Sequence, residues 1–255
     1  MEHQLNTFKK FTLTIGVCSA ALLSSVGYAN AEGMSDAQKD EIRAIIKEYI
    51  NSNPQDILDS VENYRLEQEK QTEKNAKDSL SDYKEFFKRD DLTIAGNPKG
   101  DVTVVEFFDY NCGYCRKAFE DIRKIIKSDP DVRVVFQEMP ILSPSSKTMS
   151  QIALAAHEQG KYFEMHTALM DHRGNQSNEA FFKLAKDIGL DVEKLKKDMA
   201  SEKILAVVGK ASDMGRKLGI RGTPGFIIGD EIYPGYIGLQ GLKDAISDAR
   251  AKKPE

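Results

Sequence analysis

The apolar run Val102-Thr103-Val104-Val105-Glu106-Phe107-Phe108 ends just ahead of Cys112-Gly113-Tyr114-Cys115. A run this continuous, rather than alternating, belongs to a strand covered on both faces, as in parallel or mixed sheets. The residues from Cys112 to Lys127 read as a helix, closed by Asp129-Pro130, and Val132 to Phe136 reads as a second strand. Strand, helix and strand in this order form a β-α-β unit, for which a right-handed crossover is expected. The pair of cysteines therefore falls where a buried strand gives way to a helix.

The remainder of the chain extends that unit. From Lys147 to about Leu218 the pattern is helical, with turns near Gly174 and Gly189-Leu190. Gly225-Phe226-Ile227-Ile228 reads as a strand, and Glu231-Ile232-Tyr233 can pair with it across Gly229-Asp230. Leu239 to Arg250 reads as a closing helix. The expectation is an α/β main domain over residues 91–255 with a helical insertion at about 145–218.

Ahead of it the chain changes character. Lys9 and Lys10 precede an apolar stretch, Phe11 to Val26, and Ala29-Asn30-Ala31 supplies the small residues of an export cleavage site. Residues 1–31 are expected to be a signal peptide, removed before Glu32. The stretch is short of the ~20 residues that span a bilayer, which argues against a permanent anchor. A lipid on Cys18, with outer-membrane association, is the lesser alternative, because Val17 stands where a small residue is usual.

Ser35-Asp36-Ala37-Gln38 reads as a capping box, followed by Ile42, Ile45, Ile46, Tyr49 and Ile50 at helical spacing. Asn53 and Pro54 suit the start of a second helix that runs to about Phe87. Its first turns carry Ile57, Leu58, Val61 and Tyr64, whereas Glu67 to Lys77 is almost wholly polar. Two short amphipathic helices are too small to fold alone. Either they pack on the main domain or they associate with other copies. The favoured reading assigns residues 32–65 to oligomerisation helices and 66–90 to a helical linker.

The composition narrows the chemistry. A net charge of −4, with acids and bases interspersed, gives no electrostatic reason to expect nucleic acid as a partner. Once residues 1–31 are removed, two of the three cysteines remain, both in the C-x-x-C. Cys112, at a helix start, is shifted towards thiolate and is the candidate nucleophile; Cys115, one turn on, is the candidate resolving thiol. Zinc would need a second ligand pair, and His157, His166 and His172 do not supply one at a suitable spacing, so no metal and no cofactor are expected. A purely structural disulfide remains open, although so short a loop stabilises little. Thr223-Pro224 precedes a strand and is read as a cis bond that exposes the Thr223 backbone to an extended substrate, or else as an ordinary turn. Glu106 interrupts the apolar run: it is either a buried carboxylate beneath the dithiol or a solvated residue at a sheet edge.

The segment Val105 to Cys115, the helical insertion and Gly222-Thr223-Pro224-Gly225-Phe226 together resemble the DsbA family of the thioredoxin superfamily. The resemblance covers Val102 to the C-terminus and implies a thioredoxin fold with an inserted helical domain. It maps the nucleophile to Cys112, the resolving thiol to Cys115, the buried acid to Glu106 and the cis-proline to Pro224, with Thr223, Gly113 and Tyr114 meeting substrate. Gly113-Tyr114 stands where the best-known members have Pro-His, which implies a milder oxidant. Gly-Tyr, and Thr before the proline, are similar to DsbC-type isomerases. The N-terminal extension resembles that of the ScsC group, in which such extensions make dimers or trimers with isomerase or mixed activity. The implied protein is periplasmic, acts on thiols or disulfides of exported proteins, and has a membrane redox partner. A dedicated oxidase, or a non-catalytic oligomeric chaperone or scaffold, are the alternatives.

Overall fold

The computed structural model describes residues 33–252, and the expected signal peptide with Cys18 lies outside the described residues. The chain divides into two units, one ending at Asp59 and the other starting at Ser60.

In the first unit, helix α1 (Asp36–Ser52) starts at Ser35. The Gln38 N–H donates to Ser35 Oγ at 3.3 Å and the Ser35 N–H donates to Gln38 Oε1 at 2.9 Å, so the capping box is complete. Helix α2 (Pro54–Phe87) follows after Asn53, and the Tyr49 hydroxyl donates to Asp56 at 3.0 Å across the turn. No residue of α1 is buried. Ile45, Ile46, Tyr49 and Leu58 are each more than half exposed, as are Val61 and Tyr64 at the start of the second unit.

In the second unit, a five-stranded sheet has the order β1-β3-β2-β4-β5, built from β1 (Ile94–Gly96), β2 (Val102–Phe108), β3 (Val132–Glu138), β4 (Gly225–Ile228) and β5 (Glu231–Tyr233). β2 and β3 are parallel, and the other pairings are antiparallel. The central strand is therefore β2, which explains its unbroken apolar pattern. Helices α3 (Gly113–Ser128) and α9 (Gly238–Ala251) cover one face with Phe119, Ile122, Leu242 and Ile246. Between β3 and β4 lie the five helices of the insertion: α4 (Pro144–His157), α5 (Tyr162–Asp171), α6 (Asn178–Asp187), α7 (Val192–Met199) and α8 (Glu202–Lys217).

The opposite face is closed by α8 and by the end of α2. Leu80 and Phe87 pack with Val105, Phe107, Val135, Met214, Leu218 and Ile227, and Ala76 is buried too. The buried Arg133 of β3 donates to the carbonyls of Phe87 (2.6 Å) and Arg89 (2.7 Å), satisfying acceptors that a helix end leaves open. Residues 76–87, within the stretch assigned to a linker, thus form part of the sheet's cover. Ala76, Leu80, Tyr83 and Phe87 recur at helical spacing, a stripe masked in the sequence by the polar run Glu67 to Lys77 that precedes it. Replacing Phe87 by alanine is expected to lower stability by about 3–5 kcal/mol, the usual cost of emptying a buried aromatic site, and a denaturant titration measures it.

Candidate active site

β2 delivers the chain to the site. After Phe108, Asp109 turns inward and is fully buried. Its Oδ1 accepts the Asn111 N–H at 2.8 Å, and its carbonyl accepts the Cys112 N–H at 3.0 Å. Cys112 is the N-cap of α3, in extended conformation, and its sulfur accepts the Cys115 N–H at 3.4 Å. The free amides of the first turn therefore point at Cys112 Sγ, where they favour negative charge.

The loop before β4 closes the site from the other side. The Thr223-Pro224 bond is cis, and the Thr223 carbonyl oxygen lies 3.1 Å from Cys112 Sγ. Gly225 has no room for a side chain, since a Cβ there would sit 2.4 Å from Ile220. Gly113 and Tyr114 lie at the surface, Tyr114 at 60 % exposure. The Tyr114 ring packs 6.0 Å from that of Tyr236, whose hydroxyl donates to Asp121 of α3 at 2.6 Å.

Glu106 lies beneath the dithiol. Its strand is paired on both sides, opposite Phe136 of β3 and Phe226 of β4, so it is not at an edge. It is fully buried, and neither carboxylate oxygen has a hydrogen-bond partner among the described residues. Burial, then the Cys112 charge, then Glu138 push its pKa well above the usual carboxylate range.

The two thiols are held very differently. Hydrogen bonds from the Cys115 thiol and the backbone amides of Cys115 and Tyr114 pull Cys112 down to about 5, against the cost of its burial. Burial, followed by the neighbouring Cys112 and Glu106, pushes Cys115 far up. The anion at Cys112 is thus supported without a histidine between the cysteines. Alkylation of reduced protein by iodoacetamide is expected to select Cys112, with a rate midpoint near pH 5.

The same depression has a thermodynamic counterpart. A thiol held below its unfolded value of 9.0 adds stability to the reduced protein that is complete above that pH and lost as pH falls through about 5. The oxidised protein has no such thiol. The stability difference between reduced and oxidised forms therefore changes between those limits, in the direction that costs the reduced form stability on acidification.

The structure thus gathers Cys112, Cys115, Glu106, Thr223, Pro224, Gly113 and Tyr114 at one end of the sheet. Sequence reasoning missed Asp109 and Asn111, although both lie inside the motif, and missed Tyr236 and Glu138. Among the described residues no cluster of three or more His, Cys, Asp or Glu could hold a metal.

A cysteine drawn towards thiolate, a protonated buried partner a turn away and a backbone carbonyl against the first form an arrangement that suits dithiol exchange. The fold is of the class shared by the thioredoxin-fold families of thiol–disulfide oxidoreductases. Residues 103–247 match the model of the DSBA-like thioredoxin domain, and the chain belongs to that family. It is similar to a thioredoxin-like oxidoreductase from Silicibacter pomeroyi, at 41 % identity and a TM-score of 0.63, over 66 % of this chain and 96 % of that one. A Proteus mirabilis ScsC linker-deletion mutant matches over 88 % of this chain and 100 % of its own, at 25 % identity and a TM-score of 0.65. Disulfide bond formation protein D of Bacillus subtilis is 27 % identical over 60 % of this chain and 74 % of its own length. The chain also matches Na(+)/H(+) antiporter NhaA 1 of Salinispora arenicola at 26 % identity, but spans only 24 % of that protein's length.

Proposed function

We propose that the protein is a periplasmic thiol–disulfide interchange protein, acting on exported polypeptides and assembled as a dimer or trimer through residues 35–65. The observation that carries the reading is the inequality of Cys112 and Cys115 over a buried Glu106. A substrate thiolate attacks Cys112 Sγ of the disulfide, the bond to Cys115 breaks, and its electron pair leaves on Cys115. Glu106 gives its proton to that thiolate and becomes the carboxylate. In the reverse direction Glu106 takes the proton back as Cys115 attacks the mixed disulfide. Thr223, Pro224, Gly113 and Tyr114 border Cys112 and meet the incoming chain.

The exposed apolar stripe of α1 and early α2 supports assembly, since a second copy of the same stripe is its natural cover. No helix among the described residues is long and apolar enough to cross a membrane, and export with cleavage near Ala31 completes the reading. Several sites around one substrate favour reshuffling of wrong disulfides.

A dedicated oxidase with a membrane redox partner is the second reading. It is favoured by the Cys112 pKa near 5, because a stabilised reduced form makes the disulfide a stronger oxidant. Refolding assays separate the two. Residues 32–255 should accelerate recovery of scrambled ribonuclease if they isomerise, and recovery of reduced ribonuclease alone if they only oxidise. Acceleration of neither would overturn both.

A further inference from the structure

A second buried carboxylate shares the sheet face of Glu106, and the exchange steps above leave it unused. Glu106 stands opposite Phe136, and Phe108 stands opposite Glu138. Because side chains alternate along a strand, all four residues project from one face, with the two glutamates about 8 Å apart at their Cα atoms.

The surroundings of the two glutamates differ. Glu138 Oε1 accepts the hydroxyl of Tyr162 at 2.9 Å and that of Tyr110 at 3.1 Å. Tyr110 Oη also lies 3.0 Å from His166 Nδ1. A tyrosine hydroxyl has one proton; when Tyr110 gives it to Glu138, its oxygen accepts from the Nδ1–H tautomer of His166. Two hydroxyls thus point at Glu138 Oε1, an arrangement that favours its carboxylate, while Oε2 has no hydrogen-bond partner among the described residues. His166 is fully buried among Phe108, Phe119 and Phe136, with ring centroids at 4.8, 4.7 and 4.3 Å. That burial holds it neutral. Burial pushes Glu138 up to about 8, with Ser150 of α4, Tyr162 and Tyr110 pulling the other way and Asp109 ahead of α3 adding to the rise, while Arg123 of α3 acts on His166. Glu106 faces Cys112 and Cys115 of α3 as well as Glu138, and has no donor at either oxygen.

Of the two carboxylates, the one with donors takes the negative charge first. We propose that Glu138 is a positioning residue of the exchange reaction, held by the Tyr110 and Tyr162 hydroxyls so that it takes negative charge before Glu106 does and Glu106 is kept in its acid form, ready to protonate Cys115 as it leaves. The inference rests on the reading that Glu106 exchanges the proton with Cys115. In that step the S–S bond of Cys112 and Cys115 breaks, a bond from Cys112 to the substrate sulfur forms, and the proton passes from Glu106 to Cys115. Glu138 itself neither gains nor loses a proton.

The test is the pH profile of mixed-disulfide formation between the oxidised full-length protein and a cysteine peptide. Glu106→Gln should remove the inflection at which the rate falls as Glu106 ionises. Glu138→Gln should move that inflection to lower pH by about one unit, because a like charge is withdrawn. Tyr162→Phe, which keeps Glu138 but removes one donor, should move it the same way by less, and it decides the matter if Glu138→Gln does not fold. An inflection unmoved in Glu138→Gln, or in Tyr162→Phe where that variant decides, overturns the role of Glu138, whatever happens to thermal stability. An inflection that survives in Glu106→Gln overturns the reading of Glu106 itself, without reference to Glu138.

Discussion

Serine at position 112 is expected to reduce thiol–disulfide exchange on the order of 10⁴-fold or more, the scale on which loss of a nucleophile is felt. The reason is local. The amides of the α3 first turn and the Cys115 thiol converge on Cys112 Sγ and hold it as thiolate, whereas a serine hydroxyl stays protonated and cannot form the mixed disulfide. Serine at 115 should behave differently. Cys112 would still attack a substrate disulfide and expel one of its thiolates, but the partner that resolves the adduct would be missing, so mixed disulfides should accumulate on a non-reducing gel. Unchanged ribonuclease refolding by the Cys112→Ser protein would mean that the dithiol is structural and that a chaperone or scaffold reading is correct.

Deleting residues 32–75 is expected to give a monomer and to lower reactivation of scrambled ribonuclease by about tenfold or more, through loss of the local concentration of sites. Oxidation of reduced ribonuclease should stay within about twofold, since each site is complete without the deleted segment. The cut falls before Ala76 because Ala76, Leu80 and Phe87 are buried and belong to the catalytic unit. Sedimentation of intact and shortened proteins at micromolar concentration checks the first half, and the two refolding assays check the second. A shortened protein that reactivates scrambled ribonuclease as well as the intact one would detach isomerisation from the N-terminal helices.

The sequence was most informative where one interaction dominates. The run Val102 to Phe108 could only be an interior strand, and it proved to be the middle one of five. Ser35 and Gln38 marked the start of α1 because their reciprocal bonds are local. β1, three residues long, carries no pattern and exists because its backbone pairs with β3. The second strand was expected to stop at Phe136, yet it continues through Gln137 to Glu138, both buried. A polar residue normally signals a strand's end, and nothing near Glu138 in sequence announces Tyr110, Tyr162 and His166, which come from two other segments. Glu106 was legible in part: standing inside an apolar run, it read as either buried beneath the dithiol or solvated at a sheet edge, and the pairing of β2 on both sides decides for burial. Tyr114 was assigned to meet substrate from its place between the cysteines, but its contact with Tyr236 depends on a loop more than a hundred residues away.

The buried side chain of Asp109 ties together parts of the molecule that look separable. Its Oδ1 binds Asn111 N–H and, at 2.6 Å, the hydroxyl of Ser146 in the first turn of α4; its Oδ2 binds the amides of Ile141 and Leu142 at 2.8 and 2.9 Å. The nucleophile's loop and the entrance to the helical insertion thus rest on one carboxylate. For anyone transplanting insertions between relatives to alter substrate choice, the usable joints lie beyond Ser146. A graft made nearer the sheet would bring in a foreign substitute for these donors, and the misfit would be felt at Cys112 before any new substrate was reached.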